Sequence, residues 1–139
     1  MYTKLTEEDI KLRYITPSIE AAKWTKNQIR MEYSFTDGQV FVMGKVVTRG
    51  QRKKADYLLL SKHGNIPLAI VEAKDNSHSI GSGMQQAIEY AHILDIPFAY
   101  SSNGNGFLEH DFFKGTEKEI SLEQFPTDDE LWQRYLIGK

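Results

Sequence analysis

The chain of 139 residues contains no cysteine, so neither a disulfide framework nor a thiolate site is open to it, and a reducing compartment suits it. It also lacks a long hydrophobic run. Nothing in it approaches the roughly 20 apolar residues of a membrane span, and Met1 to Leu12 is too charged for a secretory signal. A cytoplasmic protein is the expectation. It has little excess charge as well: 17 lysines and arginines against 19 acids leave a formal net charge of −2, which argues against a protein that holds nucleic acid by bulk charge alone. The four histidines, His63, His78, His92 and His110, have neither cysteine partners nor an HExxH context, so they read as ordinary surface or hairpin residues. What remains, 40% hydrophobic and 26% charged, is the composition of a globular chain long enough for one domain with one site.

The residues that are present are organised around Ile66 to Asp75, IPLAIVEAKD. An apolar run opened by Pro67 reads as a buried strand, with the proline where a missing ladder donor costs least. Side chains two apart on a strand share a face, so Glu72 and Lys74 should project together from its end. Ala55 to Ser61, ADYLLLS, is a second apolar run, and the link Lys62, His63, Gly64, Asn65 predicts a hairpin between the two. Centred on Gly64, that hairpin sets Asp56 opposite Glu72; a slip of one residue would turn Asp56 to the other face.

Two carboxylates at that spacing repel unless a proton or cation lies between them, and an all-oxygen pair suits Mg²⁺ better than zinc. Such a metal polarises a phosphoryl oxygen and acidifies a bound water, while Lys74 orients that water or neutralises charge on the phosphate. The reaction class is phosphodiester hydrolysis. The same residues also describe a strand that ends in solvent with a surface ion pair of little worth. Between Lys45 and Lys54 lie five cations, Lys45, Arg49, Arg52, Lys53 and Lys54, and no anion. Read as a loop before Asp56, this stretch would draw a phosphate backbone to the carboxylates; read as a charged edge, it would only discourage aggregation.

Around this centre, Thr6 predicts a helix N-cap with Glu7, Glu8 and Asp9 in the first turn, and Pro17 either opens a second helical segment or kinks the first. Glu7 is a candidate accessory acid, with capping as its alternative; Glu20 is a weaker candidate for the same role. Ile29 onward reads as one or two strands broken by a turn at Thr36, Asp37 and Gly38. Asp75 to Gly83 reads as a polar loop long enough to move over a substrate. Met84 to Leu94 repeats its apolar residues at helical spacing, with Ser82 as a cap, and Gln86 and Tyr90 share a second stripe able to hold a phosphate or ribose. Ile96 to Ser101 predicts a strand parallel to that of Glu72, Phe107 to Phe113 a last hairpin strand, and Pro126 with Thr127 the start of a terminal helix.

Asp56, Glu72 and Lys74 resemble the PD-(D/E)xK nuclease signature, with Ala55 where a proline often stands, and Gln86 to Tyr90 matches the QxxxY motif of one branch of that superfamily. TEEDIKLRYITPSIEAAKW, ADYLLLSKHGNIPLAIVEAKD, GMQQAIEYAHIL, PFAYSSNG and FPTDDELWQRY together resemble the N-terminal nuclease domain of the R subunit of type I restriction endonucleases. The resemblance implies a restriction-endonuclease-like α/β fold, a mixed central sheet flanked by helices, in a domain spanning 1–139. It implies an endonuclease cutting double-stranded DNA with Mg²⁺ held by Asp56, Glu72 and the Ala73 carbonyl. Lys74 would assist the attacking water, Gln86 and Tyr90 would position DNA or the site, and Glu7 would correspond to the family's acid on the first helix. Lys23 stands where many relatives have glycine before the tryptophan.

R subunits also carry an ATP-driven translocase, but the chain has no G-x-x-x-x-G-K-[ST] phosphate loop, so ATP would enter only through a region outside it. Methyltransferase (M) and specificity (S) subunits are the implied partners, and weak or undetectable cleavage by the isolated domain is expected. Two other readings keep the same residues: a repair or recombination nuclease, and a non-catalytic DNA- or subunit-binding module.

Overall fold

The two apolar runs that bracket Gly64 form a hairpin of β2 (Lys45–Leu60) and β3 (Pro67–Ala73), with Tyr57 opposite Val71 and Leu59 opposite Ala69. These pairs have the register centred on Gly64, and it is set by a one-residue shift between Leu59 and Leu60, because at the turn Leu60 pairs with Pro67. The computed structural model describes residues 4–42 and 45–139, with side chains described outside 38–49. β1 (Ile29–Val42) pairs antiparallel with β2 along its whole length, and β4 (Phe98–Ser102) lies parallel to β3. β5 (Phe107–Asp111) and β6 (Thr116–Ile120) complete a six-stranded sheet in which strand order follows chain order. The parallel step is spanned by helix α3 (Met84–Leu94), as a crossover between parallel neighbours demands. This is the mixed, helix-flanked sheet that the resemblance implied.

Three expectations about the strands need correction. The basic stretch before Asp56 is not a loop: Lys45 to Lys54 is the first half of β2, and its pairing with β1 makes a long two-stranded ribbon. Thr36 to Gly38 is not a turn but an irregularity inside β1, where the register against β2 shifts. A sixth strand, β6, follows β5, and its residues are largely exposed on both faces.

The N-terminal helix begins at Thr6, whose hydroxyl accepts the Asp9 N–H while the Asp9 carboxylate accepts the Thr6 N–H, a reciprocal cap for α1 (Glu7–Ile10). A widened π-helical turn, Lys11–Ile15, leads into α2 (Thr16–Ala21). Pro17 sits in the first turn of α2, and the widened turn before it accommodates a ring and a missing N–H that a regular α-helix would not tolerate. Ile10, Ile15, Ile19 and Trp24 pack on one face of the sheet against Tyr57, Leu59, Val71 and Tyr100. On the other face α3 buries Met84, Ala87, Tyr90 and Ala91 against Leu58, Ile70 and Ala99. The sheet is thus covered on both sides, and its strands read as near-continuous apolar runs for that reason.

The C-terminal helix α4 (Asp128–Gly138) starts at Thr127, which caps it through Glu130 N–H as expected. Its start is tied to the segment that follows α2 by polar bonds: Trp24 Nε1 donates to the Pro126 carbonyl at 2.9 Å and Gln28 Nε2 to Asp128 Oδ2 at 2.7 Å. Arg134 clamps it to the sheet through Glu109 and Asp111. Among the described residues no helix is long and apolar enough to cross a membrane.

Lys23, just past the end of α2, has φ of 76°, a left-handed conformation that costs a side-chain-bearing residue about 1 kcal/mol and favours glycine. Glycine gives back part of that through its greater unfolded freedom. Lys23→Gly is therefore expected to stabilise the chain by roughly 0.5 kcal/mol and to raise its melting temperature by about 1–3 °C, read by differential scanning calorimetry.

Candidate active site

The β2–β3 ladder runs up to Tyr57 and Val71. One residue further, side-chain carboxylates act where carbonyls acted before: Glu72 Oε2 accepts the Asp56 N–H at 2.7 Å, and Asp56 Oδ2 accepts the Ala73 N–H at 2.8 Å. Each acid is fixed through one oxygen by the other strand's backbone. Two carboxylates thereby converge at the end of the hairpin, as the Gly64-centred register predicted.

Glu72 is only 3% exposed, and burial is the first cause of its perturbation. The Asp56 charge beside it adds to the effect, and together they push the Glu72 carboxyl up to about 8, against the pull of the Asp56 N–H, Lys11 and Lys74. A buried acid beside a second carboxylate is stabilised in its charged form by any cation placed between the two. The donors on offer are all oxygens, so a hard divalent cation of the Mg²⁺ kind fits the pair better than a thiophilic metal. Among the described residues no group of three or more Asp, Glu or His side chains is arranged to hold a metal ion, so the Asp56 and Glu72 carboxylates stand as a pair.

Lys74 lies just past β3, half-buried, and its backbone N–H donates to the Ser102 carbonyl at 2.9 Å, which continues the parallel pairing into the site. Its ammonium forms no ion pair with the described residues. Gly83, at the start of α3, lies against this strand end: a Cβ there would meet Ser101 Oγ at 3.0 Å, Glu72 Cβ at 3.4 Å and Lys74 Cγ at 3.5 Å. Gly83, not Ser82, occupies the cap position, and its N–H is taken by Ser101 Oγ at 3.0 Å. The segment 75–83 also differs from the expected movable cover. Ser101 Oγ donates to the Ile80 carbonyl, Asn103 Nδ2 to the His78 carbonyl, and Asn76 Oδ1 accepts the Leu5 N–H, so the sheet and the N-terminal segment hold it down.

Glu7 is exposed on α1, and so is Glu20 on α2; no described hydrogen bond or ion pair joins either to Asp56 or Glu72. The first helix instead sends Lys11, which is almost fully buried. Its ammonium contacts Asp56 Oδ1 at 2.9 Å, Glu32 Oε1 at 2.7 Å and Glu8 Oε1 at 3.2 Å. Burial opposes its charge, but the hydrogen bonds to Glu32 and Asp56 outweigh that and raise its pKa. Lys11 in turn lowers the pKa of Glu32. Glu8, Lys11 and Glu32 are thus site neighbours that the sequence reading did not single out. The i,i+3 spacing of Glu8 and Lys11 was visible; Glu32 becomes a neighbour only through the pairing of β1 with β2.

Gln86 and Tyr90 do pair, the amide donating to the phenol oxygen. Tyr90 is buried edge-on against Phe35 of β1, with ring centroids 5.1 Å apart, and Gln86 is exposed. No described hydrogen bond joins either to Asp56, Glu72 or Lys74. Of the basic residues, Arg52 and Lys54 are exposed, Lys54 lying 3.5 Å from Glu32. Lys53 is turned toward Glu89 and Asp37, and the Arg49 side chain lies outside the described residues.

The family described as type I restriction enzyme R protein N terminus (HSDR_N) matches residues 6–126. The chain belongs to this family. It is 46% identical over 142 residues to the type I restriction enzyme EcoAI endonuclease subunit of Escherichia coli, covering 99% of the chain and 17% of that protein. A solved fragment of a protein assigned as an HsdR subunit of a type I restriction enzyme from Vibrio vulnificus YJ016 superposes with a TM-score of 0.81 at 41% identity, covering 99% of the chain and 26% of the other. The chain therefore spans about a sixth of the length of its curated relative.

In this R protein N terminus the raised Glu72 carboxyl has a thermodynamic consequence. The folded chain holds the proton up to about 8, the unfolded chain releases it near 4.5, and so the stability it contributes is complete below 4.5 and is lost as pH rises through 8. Glu72→Gln is expected to flatten that slope and, in EDTA at pH 8.5, to leave the folded state more stable by on the order of a few kcal/mol than the parent chain, with no gain at pH 4. Thermal melts across the pH range read it; parallel slopes for the two proteins would refute the assignment.

Proposed function

We propose that the chain is the endonuclease domain of a type I restriction enzyme R subunit, hydrolysing phosphodiester bonds of double-stranded foreign DNA with Mg²⁺. The observation that carries this reading is the cross-linked pair of Asp56 and Glu72 with Lys74 beside it at one strand end. Family membership and the name of the Escherichia coli relative as an endonuclease subunit support it.

Asp56, Glu72 and the Ala73 carbonyl would hold the ion. When bound, the ion supplies Lewis acidity toward a phosphoryl oxygen and a more acidic water. The chain's own residues do the rest. The Ala73 and Asp56 N–H groups fix the two carboxylates, so the ligands need no rearrangement when the cation arrives. Binding a cation requires Glu72 to give up the proton it retains to about 8, so loading is coupled to proton release. Lys74, close to Glu72 and free of ion pairs among the described residues, is placed to hold the attacking water or to neutralise the phosphate as charge builds there.

The β1–β2 ribbon would guide DNA toward this point. Arg52 and Lys54, on the strand that carries Asp56, would offer charge to the phosphate backbone, with Lys53 between them and Arg49 further from the site on the same strand. Gln86 and Tyr90 would act from α3: the buried tyrosine ring packs against Phe35, and its hydroxyl accepts from the exposed Gln86 amide, which would be held ready for DNA. M and S subunits of the full complex would supply the target sequence, and ATP would act through a region outside this chain.

The test is nicking and linearisation of supercoiled plasmid, with and without Mg²⁺, by the chain and by a complete R subunit assembled with M and S subunits and ATP. Lys74→Ala in the assembled enzyme is expected to reduce cutting by at least about 100-fold while the protein stays folded. Equal cutting by Lys74→Ala would remove these residues from the chemistry.

A further inference from the structure

A lysine ammonium has three N–H donors, and Lys11 directs its own at carboxylates from three different elements: Glu8 of α1, Glu32 of β1 and Asp56 of β2. The side chain is 4% exposed, so this is a cation held inside the protein rather than a surface pair. Two uncommon backbone features lie at its contacts. Lys11 opens the widened π-helical turn, a local departure that costs regular hydrogen bonding. Glu32 has φ of 53°, a left-handed conformation that a glutamate inside a strand rarely adopts. It lies in β1 at the register position facing Asp56, between Met31 opposite Tyr57 and Tyr33 opposite Ala55.

The acids therefore run across three adjacent strands: Glu32, Asp56 and Glu72. Lys11 is bound between the first two, on Asp56 Oδ1, and the pair of Asp56 and Glu72 is cross-linked on the other side. Nucleases with two metal ions place them about 3.5–4 Å apart on shared carboxylates. Here one side of Asp56 already carries a positive charge. We propose that Lys11 is a tethered cation occupying the place a second divalent ion would take beside Asp56, so that the site binds one ion, between Asp56 and Glu72. This rests on the reading of Asp56 and Glu72 as ligands of a divalent cation.

The arrangement explains why the cluster needs no third acid or histidine as a ligand. The ammonium satisfies Glu8 and Glu32, which keeps both from competing for the ion, and it holds Asp56 from the side opposite Glu72. Lys11 is a positioning residue in this scheme, acting through Asp56. Without it, Glu8 would lose its ion pair and Glu32 would keep only Lys54 at 3.5 Å, and both would be left beside Asp56 around a space of ammonium size. Glu8 and Glu32 are long and at least partly exposed, so both can close on an ion smaller than the ammonium.

The experiment counts bound Mn²⁺ on the 139-residue chain by the electron paramagnetic resonance signal of the free ion, with melting curves alongside. The parent chain is expected to bind one ion, lost in Asp56→Asn. Lys11→Ala is expected to bind two, with the second lost again in Lys11→Ala/Glu32→Gln, and Mn²⁺ should raise the melting temperature of Lys11→Ala more than that of the parent. A lysine that merely anchors the helix would give a less stable variant that still binds one ion, and that result overturns the proposal. So does a parent chain that binds two ions. If Lys11→Ala does not fold, Glu32→Gln alone decides: it should keep the single ion of the parent, and loss of that ion would make Glu32 a ligand and overturn the proposal. A parent chain that binds none would instead remove the metal reading of Asp56 and Glu72, and this inference with it.

Discussion

Negative charge confined to the end of one hairpin is the constraint around which the rest of the protein is arranged. Asp56 and Glu72 face each other where the β2–β3 ladder stops, and each is held there by a backbone N–H of the opposite strand. Such a pair is costly to bury. The fold supplies what offsets it from several directions: the two amides from the hairpin itself, the ammonium of Lys11 from the first helix, and the charge of Lys74 from the strand end. Burial first, and the Asp56 charge second, still hold the Glu72 carboxyl above the usual carboxylate range.

The centre of this arrangement was legible in the sequence because it depends on short-range rules. Register fixes which residues meet, and centring the hairpin on Gly64 pairs Asp56 with Glu72; the chain reaches that register through a one-residue shift between Leu59 and Leu60, since the turn itself closes Leu60 on Pro67. Alternation along one strand likewise put Glu72 and Lys74 together. The terminal helix, the crossover helix and the capping of α1 followed from equally local signals at Thr127, Met84 and Thr6. What escaped was either non-local or without a pattern. Glu32 reaches the site only because β1 lies beside β2, and Lys11 only because a helix packs over the strand end; Glu7 was chosen over Glu8 since one turn of helix does not say which side faces in. β6 escaped for another reason: an edge strand exposed on both faces has no apolar alternation to betray it.

Two misreadings share one cause. Thr36, Asp37 and Gly38 carry turn residues, and the Lys45 to Lys54 stretch carries loop-like charge, yet both are strand because the partner ribbon supplies their backbone hydrogen bonds. Local composition was outweighed by pairing. The segment 75–83 shows the same effect without a strand: its polar residues looked free to move, but Ser101 and Asn103 hold its carbonyls, and Gly83 lets α3 begin against Glu72. The residues that make a stretch look like a flexible loop are also those that can pin one.

The two ends of the described chain are not independent bodies. α4 is bolted to the segment that follows α2 through Trp24 on Pro126 and Gln28 on Asp128, and to the sheet through Arg134. A third bolt joins α2 itself to the segment before α4, where Ser18 donates to the Leu122 carbonyl. The helix that carries Lys11 into the site continues directly into α2. Segments about a hundred residues apart in the chain are thus joined directly, so a change at the start of α4 meets both the helices that carry Lys11 and the sheet on which the carboxylates stand.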